Sequence, residues 1–186
     1  MEIDAKKLFT YHVKQPTNIL STNILQYVYS LKINTMTLYE MLWESCFYNN
    51  LSMIEHIINC DYKSIDVNYC NCTLLNILCS KNHAEALDLF LSLPDNDMDI
   101  YFERCSAFKI ACNCGSIDVL KILLSKGNYN ITHINIFSFT DEYDSLPENY
   151  IDILMILDAS LNCEFILEQE LYQILLIICA RGNISM

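Results

Sequence analysis

Three stretches of this chain echo one another: SCFYNNLSMIEHIIN (Ser45 to Asn59), LCSKNHAEALDLFLS (Leu78 to Ser92) and ACNCGSIDVLKILLSKG (Ala111 to Gly127). Aligned on Cys46, Cys79 and Cys112, they lie 33 residues apart each time. Three residues further on stand Asn49, Asn82 and Gly115, and that series continues at Asn149 and Gly182 with steps of 34 and 33. A second set of apolar pairs keeps step: Met53-Ile54, Ala86-Leu87, Val119-Leu120 and Ile153-Leu154. So long a period marks a supersecondary unit that cannot bury its apolar face alone and must stack on its neighbours.

Each unit has one grammar. A short apolar helix ends at a small residue followed by Gly or Asn, the types that tolerate the left-handed conformation closing a helix. A tight turn and a second helix follow. In the third unit that helix carries Ile117, Leu120, Ile122, Leu123 and Leu124, with Asp118 early and Lys121 and Lys126 late, as the helix dipole favours. Gly127 stops it, and a polar connector leads on. The small residues Ser45-Cys46, Cys79, Ala111-Cys112 and Cys179 have a steric reason, because two short antiparallel helices approach closely only where facing side chains are small.

These units resemble ankyrin repeats. The family signature T-P-L-H-x-A is recognisable in Thr73-Leu74-Leu75-Asn76-Ile77-Leu78 and in Ser106-Ala107-Phe108-Lys109-Ile110-Ala111, and CGSIDVLKILLSKG (Cys114 to Gly127) resembles the family's second helix. The resemblance implies an all-α, ankyrin-type solenoid of stacked antiparallel helix pairs over residues 39–186, about five units. The Pro and His of the signature are missing from both units, and the connectors DVNYCNC and DIYFERC lack the family's turn glycine. Short or irregular hairpins are therefore expected. In the fourth unit Pro147 near the end of TDEYDSLPEN shortens or distorts the first helix. The divergence resembles repeats of viral or protist proteins from AT-rich genomes.

The two ends differ from the middle. Residues 1–38 match no repeat column by eye and read as an N-terminal helical cap or a divergent repeat, broken at Pro16. Ala5, Leu8, Phe9 and His12 share one helical face there, and Leu20, Ile24, Val28 and Leu31 make a second amphipathic set. The last unit lacks its second helix, since the sequence stops at RGNISM. Its first helix, Leu171 to Ala180, is apolar nearly all round and needs a cover, either further chain or self-association.

Composition narrows the function. The chain is 53% hydrophobic and 18% charged, enough to bury a core, and its net charge of −12 argues against tracking phosphates or an anionic membrane. The longest apolar run, Ile174 to Ala180, is too short to span a bilayer, and the N-terminus has no signal-peptide core. Free thiols in an intracellular, cytoplasmic setting (the host's, for a viral chain) fit the ten cysteines better than disulfides. Cys70-x-Cys72 and Cys112-x-Cys114 have a gap too short for the usual zinc pairs. No histidine among His12, His56, His83 and His133 has an obvious cysteine neighbour, so no catalytic residue is assigned. Asp95-Asn96-Asp97-Met98-Asp99 lacks a calcium loop's Gly and distal Glu and reads as a solvated loop. No cofactor, metal or enzymatic activity is expected.

The resemblance implies a protein-interaction scaffold working through its concave face and hairpin tips. On the family's pattern the two positions after the small-residue column face the groove: Phe47-Tyr48, Ser80-Lys81, Asn113-Cys114, Pro147-Glu148 and Ala180-Arg181. The tips would carry Tyr69, Cys70 and Asn71, then Phe102, Glu103 and Arg104. Phe47, Tyr48, Tyr69, Phe102 and Arg104 stand out because aromatics and Arg supply most interface energy. With Asn71, Ser80, Lys81 and Asn113 they form the expected binding set, for a protein partner rather than nucleic acid or membrane. The alternatives are an oligomerising element using Leu171 to Ala180 and a metal- or redox-responsive cysteine protein.

Overall fold

A computed structural model describes residues 9–11, 13–14, 35–94, 97–127 and 148–161. The described helices are α1 (Thr35–Phe47), α2 (Leu51–Asp61), α3 (Tyr69–Ser80), α4 (Ala84–Leu91), α5 (Phe102–Asn113), α6 (Ile117–Lys126) and α7 (Tyr150–Leu161), with a 3₁₀ turn at Tyr62–Ser64. They pair as the period requires: α1 with α2, α3 with α4, α5 with α6. The first helices form one row (α1, α3, α5) and the second helices another (α2, α4, α6, α7), so each layer rests on its neighbours. The fold is all-α, and no strand occurs among the described residues.

Burial follows the sequence columns. In the first row Leu74, Leu75, Leu78 and Cys79 of α3 are buried, and Ala107, Phe108, Ala111 and Cys112 repeat them in α5. Met41, Leu42, Ser45 and Cys46 do the same in α1. The second-row pairs Met53-Ile54, Ala86-Leu87, Val119-Leu120 and Ile153-Leu154 are buried in every unit. Each buried aliphatic of this kind contributes about 1.5–3 kcal/mol. Cys46, Cys79 and Cys112 make the small-residue ladder along which the two rows approach.

The turn closing each first helix is built alike in three units. Asn49, Asn82 and Gly115 have φ of 53°, 57° and 72°. The next amide reaches back to the last turn: Asn50 N to Ser45 O at 2.9 Å, His83 N to Leu78 O at 3.0 Å, Ser116 N to Ala111 O at 2.8 Å. This is the Schellman closure, in which a left-handed residue lets the chain satisfy carbonyls that the helix leaves unpaired. The following amide bonds two residues back in every case, Leu51 to Asn49, Ala84 to Asn82 and Ile117 to Gly115.

Side chains then tie one unit to the next. The Asn82 Oδ1 accepts from the Asp118 and Val119 amides at 3.1 and 3.2 Å, so a residue of one repeat caps the second helix of the following one. The Asn82 Nδ2 also donates to Asp118 at 3.0 Å. The Asn149 Nδ2 donates to Gly115 O at 2.8 Å. The His83 Nδ1 meets Cys46 O at 2.8 Å, and Asn50, one period earlier, donates to Val13 O at 3.2 Å.

That last pair locates part of the N-terminal segment. Val13 stands 33 residues before Cys46, and Phe9 stands 33 before Leu42. Both are buried and packed into the same core as those residues. The periodicity hidden by eye in residues 1–38 is visible at these two positions. Residues 128–147, on which the expected distortion at Pro147 falls, and Leu171 to Ala180 lie outside the described residues.

The connectors are irregular, and the missing turn glycine has a consequence. The segment Cys70, Asn71 and Cys72 takes left-handed angles with φ of 53°, 57° and 55°, and Glu103, one period after Cys70, has φ of 45°. For L-residues this costs roughly 1–2 kcal/mol each. Just before these bends Asp66 and Asp99 accept from the Asn68 and Tyr101 amides at 3.0 and 2.9 Å, the same turn one period apart. Asn68 bridges the two connectors by donating to Asp97 O at 2.7 Å and accepting from Asp99 N at 2.9 Å. The stretch read as a solvated loop is partly core, for Met98 and Ile100 are buried beneath it, as Ile65 and Val67 are one period earlier.

Candidate protein-binding face

The first helices bury the side that meets the second row, which leaves their opposite side to solvent. On α1 that side holds Tyr39, Trp43 and Phe47, four residues apart and therefore on one stripe. All three are half-buried, and Tyr39 and Trp43 pack against the core. Trp43 and Phe47 stack with ring centroids 5.3 Å apart and planes at 23°. Phe47 meets Tyr48 edge-on at 5.0 Å and 74°. Tyr48 is 41% exposed.

Two ammonium groups complete this cluster. The Lys81 Nζ lies 4.1 Å from the Phe47 ring centre and the Lys14 Nζ lies 5.4 Å from that of Tyr48. Both distances fall within the range of attraction between a cation and an aromatic face. Ser80 is exposed and turns its hydroxyl back to Ile77 O at 3.1 Å. Asn113 and Cys114 are half-buried at the equivalent places on the next unit.

Beside it lies a second aromatic pair. Tyr39 and Tyr69 meet edge-on at 5.0 Å, and the Tyr39 hydroxyl donates to the Tyr69 carbonyl at 3.3 Å. Burial pushes the Tyr39 phenol up to about 12, with smaller contributions from Cys70, Cys46, Asp66 and Tyr69. It is a neutral donor throughout the physiological range.

The expected binding residues thus divide. Phe47, Tyr48 and Lys81 come together in one cluster. Tyr69 joins Tyr39, and Asn71 is exposed at the left-handed bend, where its carbonyl accepts from the Asn76 Nδ2 at 3.3 Å. Tyr69 immediately precedes the left-handed bend that leads into the regular part of α3, and Phe102 opens α5 beside the bend at Glu103. Phe102 is half-buried against the core, and the Arg104 side chain lies outside the described set. Trp43, Tyr39 and Lys14 were not singled out from sequence. The i, i+4, i+8 run of aromatics ending at Phe47 was the available signal for the first two. Lys14 sits one period before Phe47, a signal usable only once Val13 is seen in register.

Three buried thiols, Cys46, Cys72 and Cys79, are held in the protonated form. Burial pushes the Cys46 and Cys79 thiols up, away from the thiolate that reacts, and Cys72 is raised by burial and by Asp99, Asp66 and Glu103. Among the described residues no group of three His, Cys, Asp or Glu side chains is placed to hold a metal. Nothing among the described residues favours the metal or redox alternative. No helix among the described residues is long and apolar enough to cross a membrane. On the second row, Ile151 and Met155 of α7 are 56% and 66% exposed.

A family model describing ankyrin repeats (3 copies) matches residues 42–135. No curated protein and no solved structure matches the chain.

Proposed function

We propose that this chain, which belongs to the ankyrin-repeat family, is a non-catalytic scaffold that holds a protein partner on the exposed side of its first-helix row. Ankyrin repeats are generally protein–protein interaction modules, and that general role is the premise. The observation that carries the reading is a contrast in the three units described at this turn: Cys46, Cys79 and Cys112 are fully buried, while the two positions after each are exposed or half-buried. In the first described unit those two positions are Phe47 and Tyr48, set against Trp43, Lys14 and Lys81. Large rigid aromatics with a polar or cationic rim are the composition that concentrates binding energy.

Replacing Phe47 and Tyr48 together with Ala should weaken partner capture from cell extract about tenfold or more, the scale of a lost interface anchor. The control is Glu85→Ala with Asp88→Ala on the second row, which should leave capture unchanged. Equal capture by parent and Phe47→Ala/Tyr48→Ala chains, both folded by circular dichroism, would remove this face from the function.

A further inference from the structure

We propose that the partner contributes an extended acidic segment, with two carboxylates flanking an apolar residue, and that this segment lies along Lys14, Tyr48, Phe47 and Lys81. The inference rests on the scaffold reading above and narrows it to one chemical class.

Lys14 stands one period before Phe47, and Lys81 one period after Tyr48, so the cluster spans three successive layers. Along the array it runs cation, ring, ring, cation, with steps of 5.4, 5.0 and 4.1 Å. Among the described residues neither ammonium is in an ion pair; each rests on a ring. Of the nearby α1 acids, Glu44 accepts from the Thr10 hydroxyl at 2.7 Å. An ammonium over a ring keeps N–H donors for an incoming acceptor. In a chain of net charge −12 with 11 basic residues, two of these are gathered on its aromatic face.

The spacing selects the ligand. An extended peptide advances about 3.3 Å per residue and sends alternate side chains to the same side. The proposed segment sets acids at positions i and i+4, about 13 Å apart along the strand, against the two lysines, with the residue at i+2 over the rings between them. An apolar side chain there packs on Phe47 and Tyr48, with the Trp43 ring stacked behind Phe47. A polyphosphate chain suits the site less well, because it carries no apolar group to pack on the Phe47 and Tyr48 rings between the two ammonium groups.

The test is selection of a phage-displayed library of short random peptides on the full chain, followed by anisotropy titration of the enriched peptides. Enrichment of acid-x-apolar-x-acid sequences is expected. Lys14→Ala and Lys81→Ala should each weaken such a peptide about two- to fivefold, the scale of an exposed charge pair. Lys81→Arg should restore most of the loss, and Glu→Gln in the peptide should reproduce it. Circular dichroism melts confirm that the variants fold. Neutral or basic winners that Phe47→Ala/Tyr48→Ala abolishes would overturn the acidic segment and leave the face standing. Acidic winners indifferent to both lysine changes overturn the segment as well. No enrichment, or winners indifferent to every variant, overturns the acidic segment, while the scaffold reading stands or falls on the capture experiment.

Discussion

The molecule reverses direction in two kinds of place, and they treat the left-handed backbone differently. At the closing turns the left-handed residue is Asn49, Asn82 or Gly115, the types that accept it at low cost. At the connectors it is Cys70, Asn71, Cys72 and Glu103, three of which have no such tolerance. The closing turns are pinned by repeated backbone bonds and by Asn82, whose side chain caps the next repeat's second helix. The connectors are held by Asn68 and by the buried residues beneath them, Ile65, Val67, Met98 and Ile100. Chain reversal is thus nearly strain-free where the two helix rows are joined. It is strained at the connectors leading into the first helices, where packing sustains it.

Three substitutions bear on that contrast, and a fourth tests the closing turn's response to pH. The largest effect is expected from Asn82→Val, which puts a β-branched residue at positive φ and deletes the inter-repeat cap. The combined loss is about 2–3 kcal/mol by urea unfolding. Asn82→Gly keeps the backbone freedom and removes only the cap, so its loss should be about 0.5–1 kcal/mol. If the two variants lose equal stability, side-chain capping and not backbone tolerance governs the position. Glu103→Gly should move the opposite way, gaining about 0.5–1 kcal/mol as left-handed strain is relieved against some added freedom of the unfolded chain. A Glu103→Gly chain no more stable than its parent would show that the connector is not strained.

The smallest effect concerns pH. Burial lowers the pKa of His83 below its ordinary 6.5, outweighing its bond to Cys46 O, and Lys81 lowers it further. The unfolded chain therefore takes up a proton at higher pH than the folded one. Stability is full above about 6.5 and declines as pH falls from there through the lowered folded value. His83→Asn supplies the residue found one period earlier at Asn50 and should flatten this part of a melting-temperature profile measured between pH 7 and pH 5, a range set by that ordinary value. An unchanged slope would assign the pH response to other groups.

The repeat, its helix pairs and its buried columns were legible because packing imposes residue size at fixed spacing, as Cys46, Cys79 and Cys112 show. The closing turns were legible for a related reason, since the left-handed site selects Asn or Gly. At the connectors the irregularity was legible from the missing glycine, but the residues that bend were not, because Cys70 and Glu103 carry no mark of the conformation that their surroundings impose. The candidate site was half legible. Phe47, Tyr48 and Lys81 followed from their place after the small column. Trp43, Tyr39 and Lys14 needed the helix stripe and the register of Phe9 and Val13, which two residues cannot reveal in a sequence without the fold around them.

One measurement bears most directly on whether this array binds through the outward side of its first-helix row. Amide chemical shifts of the labelled full chain should be recorded during titration with a peptide enriched on the folded chain. Shifts concentrated at Phe47, Tyr48, Ser80, Lys81 and Asn113, with Glu85, Asp88 and Lys121 unmoved, are predicted. Shifts centred on α4, α6 or the exposed Ile151 and Met155 of α7 would place recognition on the other row and contradict the assignment.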